Sequence, residues 1–318
     1  MDARLPIPVI LFAYARPDHL RRTLACLREN NVPLIYAFSD GPKTPDVAGQ
    51  VREVRKILHE IDWCEIHLVE RTDNLGLGTS ILTGVSEVFQ KQDSAIVFED
   101  DLICNPGTYQ YLSAALEHYK DIPIVMSVTG FNLPANTPPD IVDQPYFDGR
   151  TDSLVWGTWA RCWKGMDTPA YELMKLCEKK GIDVYRYGAV LPALAKSERI
   201  NNTWAARFSY LHILHQGLCL RPPYSMVDHI GNDSSATNAP VNPWPALNLV
   251  ECPPMPVNWP EPIEHPDCAQ LWQKVDGKRS ILFTWGPLGR FLRKTKKFIF
   301  TRLYRMKKRM NNLANRLW

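Results

Sequence analysis

Three consecutive acids, Glu99, Asp100 and Asp101, directly follow an apolar run at 95–98. The run predicts a buried β-strand, and the Asn-Pro pair at 105–106 predicts a turn shortly after it. Neighbouring carboxylates repel one another, so they are stable only when they are solvated, paired with basic groups or neutralised by a divalent cation. The motif alone is equally consistent with a solvated strand end and with a metal site.

The composition of the chain is that of an ordinary soluble globular protein. It has 318 residues, of which 45% are hydrophobic and 22% charged, enough for one large domain or two small ones. The apolar segment near the N-terminus spans only about seven residues, too short for a membrane span, and no signal cleavage site follows it. The eight cysteines are scattered without a CxxC pair, which favours a reducing compartment and predicts no disulfides.

Strands and helices alternate through the first third of the chain. The predicted strands lie at 7–13, 34–42 with its closing turn, 65–70 and 95–98, and apolar residues at helical spacing follow each of the first three. This alternation predicts an α/β fold with a mixed, mostly parallel sheet and helices on both faces. Ligands of such sheets bind outside the carboxyl ends of the strands, which is where the three acids lie.

Four segments on these strand–helix units resemble a known family. They are PVILFAYARPDHLRRTLACL, AFSDGP, RTDNLGLGTSILTGV and VFEDDL, in this order. They resemble the nucleotide-sugar-binding half of the GT-A glycosyltransferases, and are especially similar to the Golgi N-acetylglucosaminyltransferase that begins hybrid N-glycans and to bacterial family-2-like sugar transferases. Further on, YFDGRTDSLVWGTWARCW and NNTWAARF resemble the second half of the bacterial enzymes, so the resemblance covers roughly 6–240.

The resemblance implies a GT-A (Rossmann-like) domain in two halves. We expect the nucleotide-sugar-binding half at 1–120 and the acceptor-binding half at 121–239. Residues 240–266 hold nine of the 26 prolines, so an extended strap is predicted within a third segment, 240–276. Residues 277–318 form a fourth segment, a basic tail.

The resemblance also implies a divalent cation, Mn²⁺ or Mg²⁺, that neutralises the charge growing on the leaving diphosphate. Oxygen ligands suit such cations. Asp101 is the expected metal ligand, with Asp100 nearer the ribose or sugar and Glu99 supporting both. His229 is a candidate for completing the metal shell, although a lone His is more often structural.

Other donor contacts follow from the resemblance, residue by residue. The end of the first strand would hold the base and ribose, Arg16 a phosphate and Asp40 the base, while two further arginines are candidate partners of the diphosphate or a carboxylate. The loop NLGLG would let the backbone approach the donor, although it lacks the GxGxxG spacing of a dinucleotide site. The alternatives are a core aromatic for Tyr14 and a turn-initiating acid for Asp40. The candidate set is Phe12, Ala13, Tyr14, Arg16, Asp40, Asn74, Gly76, Gly78, Glu99, Asp100, Arg150 and Arg207.

The sequence leaves the identity of the catalytic base undecided. Inversion in one displacement needs a carboxylate that takes the proton of the acceptor hydroxyl, and many relatives have an Asp directly after the Trp of the NNxW stretch. Here Ala205 follows Trp204. Asp233 is the first replacement, followed by Asp152 and Asp228, and each has the alternative of a capping or paired surface acid. The candidates for stacking on acceptor sugars are Trp156, Trp159 and Trp204, although most Trp residues in such number belong to the core.

The tail differs from the body in charge. Residues 277–318 hold 13 of the 37 Lys and Arg and none of the 34 Asp and Glu, so 1–276 carry a net charge of −10. Apolar residues recur every three or four positions in 288–318, which predicts a basic amphipathic helix on an anionic membrane surface. The alternatives are docking of the apolar stripe on the body or on a homodimer mate, and nucleic-acid binding, which the acidic body disfavours.

We therefore expect a metal-dependent, inverting glycosyltransferase, cytoplasmic and peripheral on the inner face of the cell membrane. Its donor would be a UDP- or GDP-linked sugar and its acceptor a glycan or lipid-linked molecule of bacterial surface polysaccharide or glycolipid synthesis. Two alternatives stay open. One is a sugar-nucleotide nucleotidyltransferase, whose Gly-rich basic loop is missing from FAYARPDHL; the other is a non-catalytic, membrane-bound sugar-binding scaffold.

Overall fold

The structure is a computed structural model that describes residues 6–231, residue 249 and residues 252–283, the side chains of 277–283 excepted. Its first part alternates strands and helices as the sequence predicts. In chain order the elements are β1 (Val9–Ala13), α1 (Pro17–Glu29), β2 (Leu34–Ser39), a 3-10 helix (Pro45–Val47), α2 (Ala48–His59), β3 (Glu65–Glu70), α3 (Leu77–Val88), β4 (Ser94–Glu99), β5 (Leu102–Cys104) and α4 (Thr108–Tyr119).

The second part has shorter strands and more helices in sequence. Its elements are β6 (Val125–Thr129), β7 (Tyr146–Asp148), β8 (Trp156–Trp159), α5 (Ala160–Trp163), α6 (Ala170–Lys179), α7 (Val190–Asn201), α8 (Ala205–His215), β9 (Leu218–Arg221), β10 (Val227–His229) and α9 (Cys268–Phe283).

Eight strands form one sheet in the order β3-β2-β1-β4-β8-β6-β9-β7. The strands from β3 to β4 are all parallel, and β9 is parallel to β6, whereas β8 runs antiparallel to both of its neighbours and β7 is antiparallel to β9. Strands β5 and β10 pair separately as an antiparallel ribbon. The predicted α/β fold, a mostly parallel sheet flanked by helices, is confirmed.

The core lies between the sheet and these helices. All five residues of β1 are buried, as expected for a central parallel strand, and α1 buries Leu20, Leu24 and Leu27 on one face. Helix α3 packs closely on the sheet, because a Cβ on Gly84 would lie 2.7 Å from the ring of Phe12. The parallel pairing of β1 with β2 and β4 places their carboxyl ends along one edge.

The segment 240–276 ends in a helix. Helix α9 begins at Cys268, and its residues Trp272 and Asp276 are buried in the second half. Before it, the backbone at Glu264 forms an isolated parallel bridge with Phe147 of the edge strand β7. This part of the segment is therefore packed on the sheet, and only its earlier residues remain candidates for an extended strap.

The amphipathic helix predicted at 288–318 lies outside the described residues. Within the residues that are described, no helix is both long and apolar enough to cross a membrane.

Candidate functional site

A cavity of about 410 Å³ opens at the carboxyl ends of β1, β2 and β4. Parallel strands bring these ends to the same edge of the sheet. Most residues predicted to bind a donor or a metal line it: Phe12, Ala13, Tyr14, Arg16, Asp40, Asn74, Gly76, Glu99, Asp100, Asp101 and His229. Its remaining lining residues had no predicted role: Lys43, Leu77, Ser80, Asn201, Asn202 and Gly231.

The first two acids of the motif are fixed by the neighbouring strand. Glu99 is the last residue of β4 and lies opposite Phe12 of β1. Oδ2 of Asp100 accepts a hydrogen bond from the Tyr14 amide at 2.9 Å, and the Asp100 carbonyl oxygen accepts one from the Thr23 hydroxyl at 3.0 Å. Asp100 therefore supports the turn of the chain where β1 leaves the sheet.

Asp101 lies between an arginine and a histidine. Its Oδ2 is 2.6 Å from Nη1 of Arg16 and 3.2 Å from Nε2 of His229. The ribbon of β5 and β10 brings His229 here, and the Ile230 amide donates to the Asp101 carbonyl oxygen at 2.9 Å. Gly231 packs on the carboxylate so closely that a Cβ there would clash with Oδ2 of Asp101. The site therefore needs a glycine at this position, which the sequence analysis missed.

The surroundings shift the pKa values of the three acids in different directions. Burial raises the pKa of Glu99 to about 8 and that of Asp100 to about 7, and the charge of Asp101 adds to both shifts. Burial also acts to raise the pKa of Asp101, but the hydrogen bond and charge of His229, with the charge of Arg16, hold this pKa below its usual range. Asp101 is thus the acid of the three that is held ionised, as a metal ligand must be.

The residues fit a divalent cation. Oδ1 of Asp101 is buried and has no hydrogen-bond partner within the part of the chain that the structure describes. A buried carboxylate oxygen in this state costs free energy unless a donor or a cation meets it. One or two carboxylates, with substrate phosphates and water completing the shell, are the usual protein ligands of Mg²⁺. Asp101, with His229 beside it, would hold such an ion.

A second group of candidate ligands lies outside this cavity. Asp140, His265 and Asp267 each bring a ligand atom within 4.8 Å of the others. Nε2 of His265 lies 3.2 Å from the Asp140 carboxylate, and its Nδ1 accepts the Asp267 amide at 3.3 Å. These contacts tie the segment before α9 to the loop before β7, and we assign no metal to them.

The loop between β3 and α3 forms one wall of the cavity. Asp40, at the end of β2, holds this loop, because its Oδ2 accepts the amides of Leu75 and Gly76, both at 3.0 Å. Its Oδ1 lies 3.4 Å from Nη1 of Arg71. Contact between Asp40 and a nucleotide base stays a prediction, whereas its role in shaping the loop follows from these bonds.

A smaller pocket of about 110 Å³ lies in the second half. Asp152, Trp204 and Ala205 line it, together with Arg150 and Trp272. Asp152 therefore lies in the same pocket as Ala205, the position at which many members of the family that the sequence resembles have an Asp.

The carboxylate of Asp152 is oriented by the backbone. Its Oδ1 accepts the amides of Ser153 and Leu154 at 2.8 and 3.2 Å, while its Oδ2 has a long contact, 3.5 Å, with Nη1 of Arg221. These are the contacts of a capping and paired acid, the alternative considered for it. They also leave Oδ2 less engaged than Oδ1.

Arg150 and Arg207 both pair with carboxylates, Asp276 and Glu198, which is one of the two roles predicted for them. The Arg150 guanidinium lies 3.9 Å from the Trp272 ring centre, and its Nη1 donates to the Tyr187 carbonyl oxygen at 3.0 Å. Nε of Arg207 donates to Oε1 of Glu198 at 2.6 Å. Both side chains are held within the second half and neither lines the larger cavity, so their predicted contact with a diphosphate is not supported.

The predicted stacking of Trp156 and Trp159 on acceptor sugars is wrong, because both rings are buried. Trp156 is 1% exposed, and its ring stacks on Trp163 with centroids 5.5 Å apart and contacts Trp204 at 4.9 Å. Trp159 is 4% exposed. Neither Trp156 nor Trp159 offers a ring face to a sugar, so both belong to the core. Trp204 is buried too, but it lines the smaller pocket.

Two further candidates, Gly78 and Asp228, do not line the larger cavity. The amide of Gly78 donates to the carbonyl oxygen of Asn202 at 3.0 Å, so this glycine serves chain packing. Asp228 accepts the His229 amide at 2.9 Å, and it lines neither of the two pockets described. Asp233 lies outside the described residues.

The central sheet and the acidic strand-end cavity have the architecture of the GT-A glycosyltransferases. Residues 9–163 match the family model for glycosyl transferase family 2, a match that covers just under half of the chain. This part of the chain therefore matches a glycosyl transferase family 2 domain.

No curated protein matches the chain. Among solved structures, the mannosyltransferase PcManGT from Pyrobaculum calidifontis in complex with GDP-Man and Mn²⁺ is 15% identical, with a TM-score of 0.36 over 57% of this chain and 48% of that one. S. aureus TarS 1–349 is 9% identical, with a TM-score of 0.40 over 72% of this chain and 61% of that one. The chain thus spans less than two thirds of the length of either protein. The similarity to the Golgi enzyme stays a prediction.

Proposed function

We propose that the chain is a metal-dependent, inverting glycosyltransferase that uses a nucleotide-sugar donor. The state of the Asp101 carboxylate carries this proposal: Arg16 and His229 hold one oxygen, and the other is buried and unpaired among the described residues. The surrounding cavity, about 410 Å³, falls within the usual range for small-molecule sites, about 300 to 1,000 Å³.

The donor is proposed to lie with its diphosphate against Arg16 and Asp101. A bound Mn²⁺ or Mg²⁺ would neutralise negative charge on the leaving diphosphate. Arg16 supplies a second positive charge whose position is set in advance by Asp101, so little reorganisation is needed when the sugar–phosphate bond breaks. The nucleoside would lie between the end of β1, at 12–14, and the loop at 74–77.

We infer that Asp152 is the catalytic base, ahead of Asp233 and Asp228. It lies in the same pocket as Ala205, and amide bonds to one oxygen orient the carboxylate while the other keeps acceptor capacity. Asp233 stays the alternative. The smaller pocket, with indole and charged walls, is then the proposed site of the acceptor hydroxyl.

The acceptor is proposed to be a glycan or lipid-linked molecule of bacterial surface polysaccharide or glycolipid synthesis, reached from the cytoplasmic face of the membrane. The charge split between the acidic body and the basic 277–318 segment supports this location. A protein without 288–318 should stay folded and lose binding to anionic vesicles, which cosedimentation at low and high salt would measure. Aggregation of the truncated protein would instead indicate that the stripe packs on the body or on a homodimer mate.

Donor screening tests the proposed activity. Purified protein should be stabilised by a UDP- or GDP-sugar in thermal shift only when Mn²⁺ or Mg²⁺ is present, and it should hydrolyse that donor slowly to the nucleoside diphosphate. EDTA should abolish both effects. Unchanged hydrolysis in EDTA would exclude metal dependence. Release of pyrophosphate from a nucleoside triphosphate and a sugar 1-phosphate would favour the nucleotidyltransferase alternative.

A further inference from the structure

The residue after α7 reaches from the second half into the first. Asn202 has a left-handed backbone, with φ of 46°, and lies 123 to 127 positions away in sequence from its partners. Its Nδ2 donates to the Leu75 carbonyl oxygen at 2.9 Å, and its Oδ1 accepts the amide and hydroxyl of Thr79 at 3.1 and 3.2 Å. Its carbonyl oxygen also accepts the Gly78 amide at 3.0 Å. One asparagine thus makes four hydrogen bonds to 75–79.

These partners belong to the wall of the larger cavity. Gly76 and Leu77 line it, as does Asn202 itself. Gly76 has φ of 71°, and a Cβ there would clash with Nδ2 of Asn202. The glycine therefore allows both the turn and the close approach of the asparagine.

The loop is consequently held from two sides. Asp40 of the first half accepts hydrogen bonds from the amides of Leu75 and Gly76. Asn202 of the second half donates to the carbonyl oxygen of Leu75 and accepts from the amide and the hydroxyl of Thr79. A loop tied at both ends presents a single shape to a ligand, which lowers the ordering cost of binding.

The turn that carries Asn202 also forms the smaller pocket. Asn201 and Asn202 line the larger cavity, and two residues later Trp204 and Ala205 line the smaller one. A shift of this short turn therefore alters both pockets together.

We propose that Asn202 is a positioning residue that fixes the loop at 74–76 and the first turn of α3 for the nucleoside diphosphate part of the donor, and couples this wall to the smaller pocket. This role rests on the proposed function. It predicts that removing the side chain weakens nucleotide binding while the fold persists, and that bound nucleotide protects the α7–α8 turn.

Asn202→Gly is the sharpest variant. Glycine keeps the left-handed conformation and the backbone bond to Gly78, so only the three side-chain hydrogen bonds are lost. Asn31→Gly is the matched control, because Asn31 has φ of 52° after α1, is exposed and lines neither pocket described. Both variants make the same chemical change in the same backbone conformation.

Calorimetric titration with UDP and with GDP, in the presence of Mn²⁺, tests the proposal. For the nucleotide that the wild type binds, Asn202→Gly should weaken affinity about 10-fold, or about 1.4 kcal/mol, and Asn31→Gly should leave it unchanged. The donor KM should rise more than kcat falls. Hydrogen exchange of the Thr79 amide should accelerate in Asn202→Gly, and nucleotide should slow exchange at 201–205 in the wild type.

The outcomes separate this role from the proposed function. Equal nucleotide affinity in Asn202→Gly and wild type would overturn the positioning role and leave the glycosyltransferase proposal standing. A thermal midpoint lowered far more than in Asn31→Gly, with affinity lost in proportion, would reduce Asn202 to a stability residue and also overturn it. A wild-type protein that binds neither UDP nor GDP would overturn the proposed function, and the role of Asn202 with it.

Discussion

The two halves of the sheet place the same kinds of charged residue in opposite ways. In the first half, Arg16 and Asp101 form an ion pair that lines an open cavity at the strand ends. In the second half, Asp148 and Arg221 form an ion pair that is 1% exposed on both sides, with the Trp272 indole donating to the same carboxylate at 2.8 Å. The first half presents its charged pair to an open cavity, and the second half encloses its charged pair inside the fold.

Strand direction accounts for the difference. The four strands from β3 to β4 are parallel, so the residues after them meet at one edge where the sheet is not covered. In the second half β7 and β8 are antiparallel to their neighbours, and α9 covers the polar groups with Trp272 and Asp276. Charged residues enclosed in this way must pair, because an unpaired buried charge is costly. Residue type alone therefore does not identify a ligand-binding arginine or acid.

The largest effect that this comparison predicts is at Asp101. Asp101→Asn keeps the volume and removes the carboxylate charge, so kcat/KM for transfer should fall about 10³-fold, equivalent to about 4 kcal/mol. Asp18→Asn is the control, because Asp18 is an acid on α1 whose side chain is 93% exposed. Steady-state transfer assays with and without EDTA would measure the loss. Near-normal activity in Asp101→Asn would place the chemistry elsewhere.

The next effect tests whether one acid of the second half is catalytic. Asp152→Asn keeps the acceptor for the Ser153 and Leu154 amides but no longer accepts a proton, so kcat should fall about 10²-fold with donor binding intact. Asp183→Asn is the matched control, since Asp183 makes the same kind of bond to the Tyr185 amide, at 2.9 Å, on the surface. Loss of activity in Asp233→Asn instead would make Asp233 the base.

Much of the first half could be predicted because its signals are local. An apolar run that ends in Glu99–Asp101 indicates a parallel strand whose end carries the site, and the helices between such strands show their own periodicity. Most of the residues that these signals single out line the larger cavity, whereas their binding of a donor stays a prediction.

The second half depends on contacts that are distant in sequence. No local pattern shows that β8 enters the sheet beside β4, or that Arg150 stacks on Trp272 of α9. The contacts of Asn202 are of the same kind, because a single asparagine after a helix predicts a cap and not a partner 127 positions away. The place of Gly231 in the chain, two residues after His229, is a local signal that could have predicted its contact with the Asp101 carboxylate.

A smaller effect concerns the stability of the second half against acid. His212 is fully buried, with Nε2 2.8 Å from the Ser127 hydroxyl and Nδ1 2.8 Å from the Phe208 carbonyl oxygen. Burial lowers its pKa from 6.5 to about 4. Between these values the unfolded chain binds the proton that the folded chain excludes, so the stability from neutral His212 is present above pH 6.5 and falls as the pH drops toward 4.

This titration should cost about 2 kcal/mol at pH 5. His212→Gln keeps an acceptor for Ser127 but cannot titrate, so its unfolding free energy should change less than that of the wild type between pH 7 and pH 5. Urea unfolding of both proteins at the two pH values measures the difference. An identical pH dependence would show that His212 is protonated in the folded protein or does not dominate its acid response.

The smallest effect separates a core tryptophan from a sugar-binding one. Trp156 is enclosed by Trp163, Trp204 and Phe208, so Trp156→Phe should lower the unfolding free energy by about 1 to 2 kcal/mol through lost packing. Its acceptor KM should not change, because the ring does not line either pocket described. Trp63→Phe, at a partly buried position of the first half, is the control and should cost less. A several-fold rise in acceptor KM with unchanged stability would mean that the ring meets the acceptor, and that the second half opens toward its ligand as the first half does.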